Sequence, residues 1–492
     1  MSGVRIAIVH GYFLGDSGSA VYVRELAREF TRQGNEVTLV CQEPGAPGYW
    51  FIDSFYELDE QNSGMSAVFE REPLSAGSCR LVRPDLGGRL LTYVAGPFPG
   101  YQAVPFQDAP DEWIEDYVDS NVRALAAVFS RWQPDFVQAN HAIMQPYVVN
   151  EALAGAAPYV STIHGSALNF SVKADQRLLP YALAGLSGSR AVGALSETSR
   201  DDVVDFAARH GLDLEGRVVL LPPGVDTGLM RPLGRTERAV ALKVVSAAID
   251  PERDDVALFA GRLLWTKGIQ YAVAAMPLML ARRPHLHLVV VGDGPMEEPL
   301  RKMINLLDAG SLEEARRLTL SDERLRAGDD FGPVMPEMDA GEAESYACSA
   351  RGNLAVRVHF TGHLSHERLA PIYGAADISL AVSIFPEAFA LVSIEAMAGG
   401  ALPVVTYQTG LREAADTVAA ALADASLRSL APGVGLTRAL ADLMPDLLDR
   451  YETKEDAFRR RLHELAECRF SWGNVASRYF DLALGSNRGG ND

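Results

Sequence analysis

Residues 385–400 read FPEAFALVSIEAMAGG and combine a proline-containing loop with the start of a helix. Pro386 indicates that the first half is loop. Glu387 belongs to that loop, and Glu395 follows after about two helical turns. The peptide N–H groups from Ala388 to Val392 would then be free donors at a helix N-terminus, which suits an anionic ligand. Two carboxylates beside an anion require hydroxyl partners, so the stretch predicts a nucleotide-sugar site.

The composition sets limits on size and partners. A chain of 492 residues is too long for one core, so two domains are expected. Its hydrophobic content of 48% and charged content of 22% are ordinary for a globular protein. The net charge of −19 argues against a nucleic-acid partner, because phosphate binding needs a basic face.

The four cysteines are scattered without metal-ligand spacing, which favours free thiols in a reducing cytoplasm and no metal site. The opening residues MSGVRIAIVHGYF resemble a strand rather than a signal peptide. No apolar run approaches the roughly 20 residues of a membrane helix. We therefore predict a cytoplasmic protein without an integral membrane segment.

Alternating strand and helix patterns indicate an α/β protein with two tandem Rossmann-like domains. An apolar strand at 4–9, a glycine-rich turn, an amphipathic helix and a second strand at 36–41 form a βαβ opening. A second series begins with the strand at 256–260. The predicted domains are 1–235 and 236–470, followed by a C-terminal helix at 471–492 that packs back toward the first domain.

Two segments depart from this regular pattern. Residues 44–112 are rich in proline, glycine and aromatic residues, and we interpret them as loops and short strands at one edge of the first domain. Residues 296–357 form an acidic insertion with two or three helices where a short connection is usual. A surface decoration or a homodimer contact is favoured there over a regulatory element.

Two cations follow the first strand of the second domain. Residues 261–268 read GRLLWTKG, which places Arg262 and Lys267 at the carboxyl end of a strand, where ligands bind in such sheets. A guanidinium fork and an ammonium group together suit a diphosphate. Solvated surface cations are the alternative, but Glu387 and Glu395 downstream favour a functional site.

The remaining motifs carry weaker signals. Gly18 and Ser19 lie in a glycine-rich turn before a helix, and its spacing differs from the dinucleotide fingerprint, so a nicotinamide enzyme is disfavoured. His141 and His164 follow strands, where a lone histidine is more often structural. Gly362 and His363 end a further strand, where the backbone could meet a nucleobase. No hydrolase triad or zinc motif is present in the sequence.

Taken in order, these motifs resemble the retaining, nucleotide-sugar-dependent glycosyltransferases of the GT-B type, in their family-four (group 1) branch. The resemblance covers nearly the whole chain, from the loop at 15–19 through His164-Gly165 and Pro222–Asp226 to the Arg262/Lys267 pair. Its most specific part is the pair of glutamates, Glu387 and Glu395.

The resemblance implies a donor site in the cleft between the two domains, and catalysis without a metal or cofactor. Arg262 and Lys267 would bind the diphosphate, Glu387 the transferred sugar and Glu395 the ribose. His164 would lie near the sugar, and Gly18 and Ser19 near the diphosphate. The catalytic set is therefore Arg262, Lys267, Glu387 and His164. The donor-binding set adds the following residues: Gly18, Ser19, Gly362, His363, Phe389, Ala390, Leu391, Val392 and Glu395.

Three small departures from the family pattern are Ser19 in place of a second glycine, Pro223 in place of asparagine and Ala390 in place of glycine. No charged catalytic group is lost, so we expect an active hexosyltransferase. In the expected mechanism the departing diphosphate oxygen deprotonates the acceptor on the same face of the sugar. A nucleotide-sugar epimerase, a phosphorylase of the same fold and a non-catalytic nucleotide-sugar-binding regulator remain alternatives.

The acceptor is not specified by these motifs. The aromatic segment 44–112 and the loops after residues 140 and 164 should line its side of the site. The acidic chain shows no basic amphipathic helix for a lipid, so a soluble small molecule or carbohydrate is favoured. Uridine diphosphate is the nucleotide that the resemblance favours.

Overall fold

The computed structural model describes residues 3–15, 17–45, 48–93, 96, 98–165, 167–326 and 331–485. Asp16 and Ser166, which belong to two of the predicted loops, and the end of the predicted C-terminal segment after Gly485 lie outside these residues. The chain divides into two compact units, one of residues 1–224 with the segment from 472 onward, the other of residues 225–471. Elements are numbered along the chain.

The first unit is built on a nine-stranded sheet with the order β11-β10-β9-β8-β1-β2-β5-β3-β4. Every neighbouring pair is parallel except β3 with β4, and β6 and β7 form a separate parallel pair. Its strands are β1 (Arg5–Val9), β2 (Glu36–Val40), β3 (Ser54–Leu58), β4 (Met65–Glu70), β5 (Ser78–Arg83), β6 (Arg89–Thr92), β7 (Gln102–Pro105), β8 (Phe136–Asn140), β9 (Tyr159–Ile163), β10 (Ala191–Ala194) and β11 (Val218–Leu220).

Helices of the first unit cover the faces of this sheet. They are α1 (Gly18–Arg32), α2 (Asp111–Trp132), α3 (Gln145–Leu153), α4 (Leu179–Gly188), α5 (Glu197–Arg209) and, from the far end of the chain, α16 (Trp472–Leu484). In α1, Val23, Leu26, Ala27 and Phe30 recur at helical spacing and are fully buried. The short strands β3 to β7 occupy the aromatic segment 44–112.

The second unit has a five-stranded, wholly parallel sheet with the order β14-β13-β12-β15-β16. Its strands are β12 (Asp255–Ala260), β13 (Leu286–Val291), β14 (Val358–Gly362), β15 (Ile378–Ala381) and β16 (Leu402–Val405). All residues of β12 and β13 are buried, which is expected of parallel strands covered on both faces.

The helices of the second unit cover this sheet and fill the insertion. They are α6 (Arg235–Val245), α7 (Ile269–Arg282), α8 (Glu297–Asp308), α9 (Leu312–Ser321), α10 (Ala340–Ala350), α11 (His366–Ala375), α12 (Leu391–Gly399), α13 (Arg412–Leu422), α14 (Leu436–Arg450) and α15 (Asp456–Phe470). The described part of the insertion thus contains α8, α9 and α10. Tyr346 of α10 donates a hydrogen bond to the carbonyl of Ala274 in α7 at 2.8 Å.

The division between the units lies eleven residues before the predicted boundary at 235/236. Val225 and Met230 are buried in the core of the second unit, and the amide of Val225 donates to the carbonyl of Phe470 at 2.6 Å. The predicted boundary coincides with the start of α6, and Arg238, Ala241 and Leu242 of this helix are buried. The charged residues at 235–245 therefore belong to a packed helix with one exposed face.

Helix α16 returns to the first unit. The ring of Phe480 meets Phe30 of α1 and Phe136 of β8 edge-on, with centroids 5.3 and 5.9 Å apart. The hydroxyl groups of Tyr22 and Tyr479 are 3.0 Å apart. Within the described residues, no helix has the length and apolar character that crossing a bilayer demands.

Candidate functional site

The strand order of the second unit creates a crevice between β12 and β15. The chain proceeds from β12 to one side of the sheet and later returns to the other side with β15. Loops that leave the carboxyl ends of two such strands part from each other, and ligands bind at this switch point in open α/β sheets. The predicted Arg262–Lys267 loop follows β12, and the Glu387 loop follows β15.

Lys267 and Glu387 meet at this crevice. The Lys267 ammonium donates a hydrogen bond to the Glu387 carboxylate at 2.8 Å, and both side chains remain partly exposed. The Ser383 hydroxyl donates to the same carboxylate oxygen. The Glu387 amide donates to the Thr409 hydroxyl at 3.0 Å, which fixes the loop from its other side.

The Lys267 loop passes very close to the loop after β15. Gly268 has a φ of +74°, and a Cβ atom there would lie 2.0 Å from the carbonyl oxygen of Val382. Only glycine combines this left-handed backbone with such a close approach. Gly268 therefore holds the lysine loop against the loop that carries Glu387.

Arg262 lies at the start of the same loop with an exposed side chain. Among the described residues, its guanidinium has no ion-pair or hydrogen-bond partner. The loop after β12 thus carries one cation without such a partner and one cation paired with Glu387. Two cations on one loop suit a diphosphate.

Helix α12 begins where the sequence predicted a helix N-terminus. Ala390 is its N-cap, Leu391 is its first residue, and Val392 follows in the first turn. The first amides of a helix have no partner within the helix. Ala390 has a φ of −104°, which any L-residue adopts, so the alanine found in place of the usual glycine fits without strain. Phe389 packs its ring against Phe470 at 6.2 Å.

Glu395 lies on α12 and is only 8% exposed. Its carboxylate accepts hydrogen bonds from the Tyr373 hydroxyl at 3.0 Å and from His366 Nε2 at 3.2 Å. Burial, and then the neighbouring Glu395 charge, raise the pKa of Tyr373 well above its usual range, so Tyr373 stays a donor. The sequence did not predict that Tyr373 and His366 contact Glu395. A tyrosine on an apolar helix gives no signal, but His366 follows closely after the predicted His363.

Gly362 and His363 lie at the end of β14. Gly362 has a φ of +73°, and its carbonyl accepts the amide of Gly292 at 2.9 Å, which ties together the loops after β13 and β14. His363 is exposed. The contact of these two residues with a nucleobase stays a prediction.

Gly18 and Ser19 begin α1 in the first unit. The Ser17 side chain caps this helix by accepting the amide of Ala20 at 3.2 Å. Gly18 is exposed and Ser19 is partly exposed, and beyond its chain neighbours and its own helix no described residue has an atom within 4 Å of a Cβ added to Gly18. A helix of 15 residues that opens with exposed small residues is a suitable anion site. Its approach to the diphosphate stays a prediction.

His164 belongs to a cluster of three histidines at the carboxyl ends of β1, β8 and β9. Its ring lies 5.1 Å from that of His141, which stacks on His10 at 5.5 Å. His10 and His141 are fully buried, and neither ring makes a hydrogen bond of normal geometry to any of the described residues. Burial lowers the pKa of His164 and of His10 to about 3 and holds the pKa of His141 well below its usual range, so all three are neutral at pH 7.

The clustering of His10 and His141 was not predicted. They flank the switch point of the first sheet, since β2 and β8 lie on opposite sides of β1. His141 also has a φ of +72°, a strained conformation for a non-glycine residue. The sequence signal available was the position of each histidine directly after a buried strand.

Three family profiles match the chain. The profile of the glycosyl transferase 4-like domain matches residues 17–224, and two profiles of glycosyl transferases group 1 match residues 246–311 and 334–440. The D-inositol 3-phosphate glycosyltransferase of Xylanimonas cellulosilytica is 24% identical over 95% of this chain and 92% of its own length. The enzyme of the same name from Salinispora tropica is 26% identical over 94% and 87%.

Solved structures share the fold. The sucrose-phosphate synthase of Thermosynechococcus elongatus superposes with a TM-score of 0.58 at 20% identity, covering 97% of this chain and 98% of its own. The catalytic domain of starch synthase IV from Arabidopsis thaliana, bound to ADP and acarbose, gives a TM-score of 0.60 at 13% identity, covering 98% of this chain and 99% of its own. The HepE protein of Anabaena in complex with UDP-glucose gives a TM-score of 0.56 at 16% identity, covering 97% of this chain and 98% of its own. The predicted GT-B architecture is thereby confirmed.

Proposed function

The chain belongs to the group 1 glycosyltransferases of the GT-B fold, and on that premise we propose that it transfers a hexose from a uridine diphosphate sugar to a hydroxyl group of a soluble small-molecule or carbohydrate acceptor, with retention of configuration. The observation that carries this proposal is the meeting of Lys267 and Glu387 at the switch point beside the unpaired Arg262. Cations and a sugar-binding carboxylate then occupy one crevice.

In this mechanism Arg262, Lys267 and the amides that begin α12 stabilise the charge that develops on the leaving diphosphate. Donors placed in advance for such a charge are worth about 3–4 kcal/mol each. Glu387 accepts hydroxyl groups of the transferred sugar, and Glu395 those of the ribose. The departing phosphate oxygen takes the proton of the attacking hydroxyl on the same face, so no protein nucleophile and no metal enters the proposal.

The comparisons support the substrate classes. Solved relatives with the same fold hold UDP-glucose or ADP, and uridine diphosphate is the donor nucleotide that we favour. The two bacterial relatives are named for a small cyclic polyol phosphate, which supports a small hydroxylated acceptor.

The first experiment separates the competing functions. Thermal-shift titration with uridine, guanosine and adenosine diphosphates identifies the base, and the matching sugar nucleotides are then incubated with and without acceptors. Release of nucleoside diphosphate only with an acceptor supports the transferase. Interconversion of the sugar nucleotide would instead indicate an epimerase, phosphorolysis of a glycoside a phosphorylase, and binding without turnover a regulator.

Two variants test the site itself. Arg262→Ala and Lys267→Ala should each lower kcat by about 100-fold or more while the thermal midpoint without ligand stays unchanged. Arg460→Ala and Lys243→Ala remove exposed cations from α15 and α6 and serve as matched controls. Near-normal transfer by either site variant would refute the assignment.

A further inference from the structure

A chain of buried polar side chains links His164 to helix α16. Gln138 and Asn140 of β8 and Thr162 of β9 are polar, and each is 0% exposed. The Gln138 amide donates to the Thr162 hydroxyl at 2.9 Å, and that hydroxyl bonds to Tyr479 of α16. Tyr479 in turn lies 3.0 Å from the hydroxyl of Tyr22.

The orientation of the Asn140 amide follows from its neighbours. Its nitrogen lies 2.9 Å from the backbone carbonyl of Val9 and 2.7 Å from Gln138 Oε1. A carbonyl oxygen can only accept, so the atom that faces Val9 must be the donating nitrogen. The Asn140 oxygen therefore faces the other way, where it accepts from Gln138 Nε2 at 3.0 Å.

This orientation determines the protonation of His164. Its Nε2 lies 2.8 Å from the Asn140 oxygen, which cannot donate. Nε2 must carry the proton, and in a neutral imidazole the other nitrogen, Nδ1, is then an acceptor. Among the described residues, Nδ1 has no hydrogen-bond partner, and His164 as a whole residue is partly exposed.

We propose that Asn140 is a positioning residue that holds the proton of His164 on Nε2, so that Nδ1 accepts a hydrogen bond from a substrate hydroxyl group. The identity of that hydroxyl group as part of a sugar or polyol rests on the proposed function. The tautomer itself follows from Val9, Gln138 and Asn140 alone.

The surroundings keep the ring neutral. The groups that face it are His141 after β8, Tyr22 on α1 at 5.3 Å and, beyond His141, His10 after β1. Burial is the main cause of the lowered pKa of about 3, and His10 adds to it. With the proton fixed on Nε2, the neutral ring has no hydrogen on Nδ1 to donate to the substrate. His164 therefore selects a substrate hydroxyl that donates its hydrogen to Nδ1.

The direct test is the tautomer in the protein without substrate. Long-range proton–nitrogen NMR correlation on a sample with labelled histidine distinguishes the two tautomers, and His164→Gln identifies the signal. We expect the proton on Nε2 at pH 7. A proton on Nδ1 would overturn the proposal. This measurement does not require sugar transfer, so its result is independent of the proposed function. The proposed function fails separately, if wild type binds no sugar nucleotide and transfers no sugar.

The functional test uses Asn140→Asp, which keeps the shape and places a carboxylate against Nε2, although it loses the hydrogen bond to the Val9 carbonyl. An adjacent negative charge favours the imidazolium and raises its pKa. Once protonated, Nδ1 becomes a donor and can no longer accept the hydroxyl. We expect kcat/KM of this variant to fall about tenfold per pH unit below the new pKa and to recover in alkali.

Asn150→Asp is the matched control, because it adds the same charge to the same unit but contacts Tyr159 instead of His164. It should keep the wild-type pH profile, which is flat with respect to His164 above about pH 5 because the imidazole is already neutral there. A pH profile of Asn140→Asp that superposes on that of wild type would overturn the role of Asn140. If Asn140→Asp does not fold, the NMR tautomer of wild type decides the question.

Discussion

The Lys267 ammonium and the Glu387 carboxylate are 2.8 Å apart, although 120 residues separate them in the chain. The sequence predicted that both residues serve one ligand, with the cations on the phosphates and the carboxylate on the sugar. It did not predict their direct contact. The contact pairs the two opposite charges, so under the proposed function a diphosphate would compete with Glu387 for Lys267.

This competition predicts an unusual result for Glu387→Gln. Removal of the carboxylate charge releases Lys267, so uridine diphosphate should bind as tightly as to wild type or several-fold tighter. Sugar transfer should nevertheless fall by about 100-fold or more, because the contact with the transferred sugar is lost. Calorimetric titration and initial rates measure the two effects. Glu464→Gln, on the exposed face of α15, is the control. Loss of nucleotide affinity in parallel with rate would contradict this arrangement.

Glu395 leads to a prediction about the ribose. Its carboxylate is held by Tyr373 and His366, so it is oriented before any ligand arrives. Wild type should bind uridine diphosphate about tenfold or more tightly than the 2′- or 3′-deoxy analogue, since a hydrogen bond to a charged group contributes about 1.5–3 kcal/mol. Glu395→Gln should reduce that preference. Tyr373→Phe is the companion variant, and an unchanged preference in Glu395→Gln would place the ribose elsewhere.

Local sequence patterns were enough to locate one part of the fold and site, and tertiary contacts determine the rest. The βα order, the loop–helix stretch at 385–400 and the cations after β12 are local patterns, and periodicity and turn chemistry were enough to locate them. Tyr373 and His366 contact Glu395 through tertiary packing, and the meeting of Lys267 with Glu387 depends on the adjacency of β12 and β15. Strand adjacency is not encoded in local patterns. The division at 224/225 differs from the predicted 235/236 because Val225 and Met230 pack into the core of the second unit, which no local pattern shows.

Gly268 and Ala390 give a paired prediction about backbone freedom. Gly268→Ala should lower the thermal midpoint and reduce transfer strongly, because its Cβ would lie 2.0 Å from the Val382 carbonyl at a φ of +74° and would push Lys267 away from Glu387. Ala390→Gly should leave both quantities nearly unchanged, since Ala390 already has an ordinary φ of −104°. Differential scanning fluorimetry and initial rates check the pair. A large gain or loss with Ala390→Gly would contradict the structure.

The buried histidines predict acid lability of the first unit. His10 is 0% exposed, and burial lowers its pKa from 6.5 to about 3 in the folded protein. Between these values the unfolded chain binds the proton and the folded chain does not, so acid favours unfolding. The contribution of the neutral ring to the free energy of unfolding is fully present above pH 6.5. Below pH 6.5 it declines by up to about 1.4 kcal/mol per pH unit.

His10→Phe removes this titration and should reduce the decline in the free energy of unfolding between pH 6.5 and pH 4. Above pH 7 the substitution should lower the free energy of unfolding only slightly, because an apolar ring replaces a buried polar one. Tyr12→Phe is the matched control. It removes the hydrogen bond from Tyr12 to the Leu91 carbonyl at 3.2 Å and should lower the free energy of unfolding by about 1 kcal/mol at every pH without changing the slope. Denaturant titrations at a series of pH values separate the two effects. An equal slope in wild type and His10→Phe would show that His10 is protonated, or reached by water, in the folded protein.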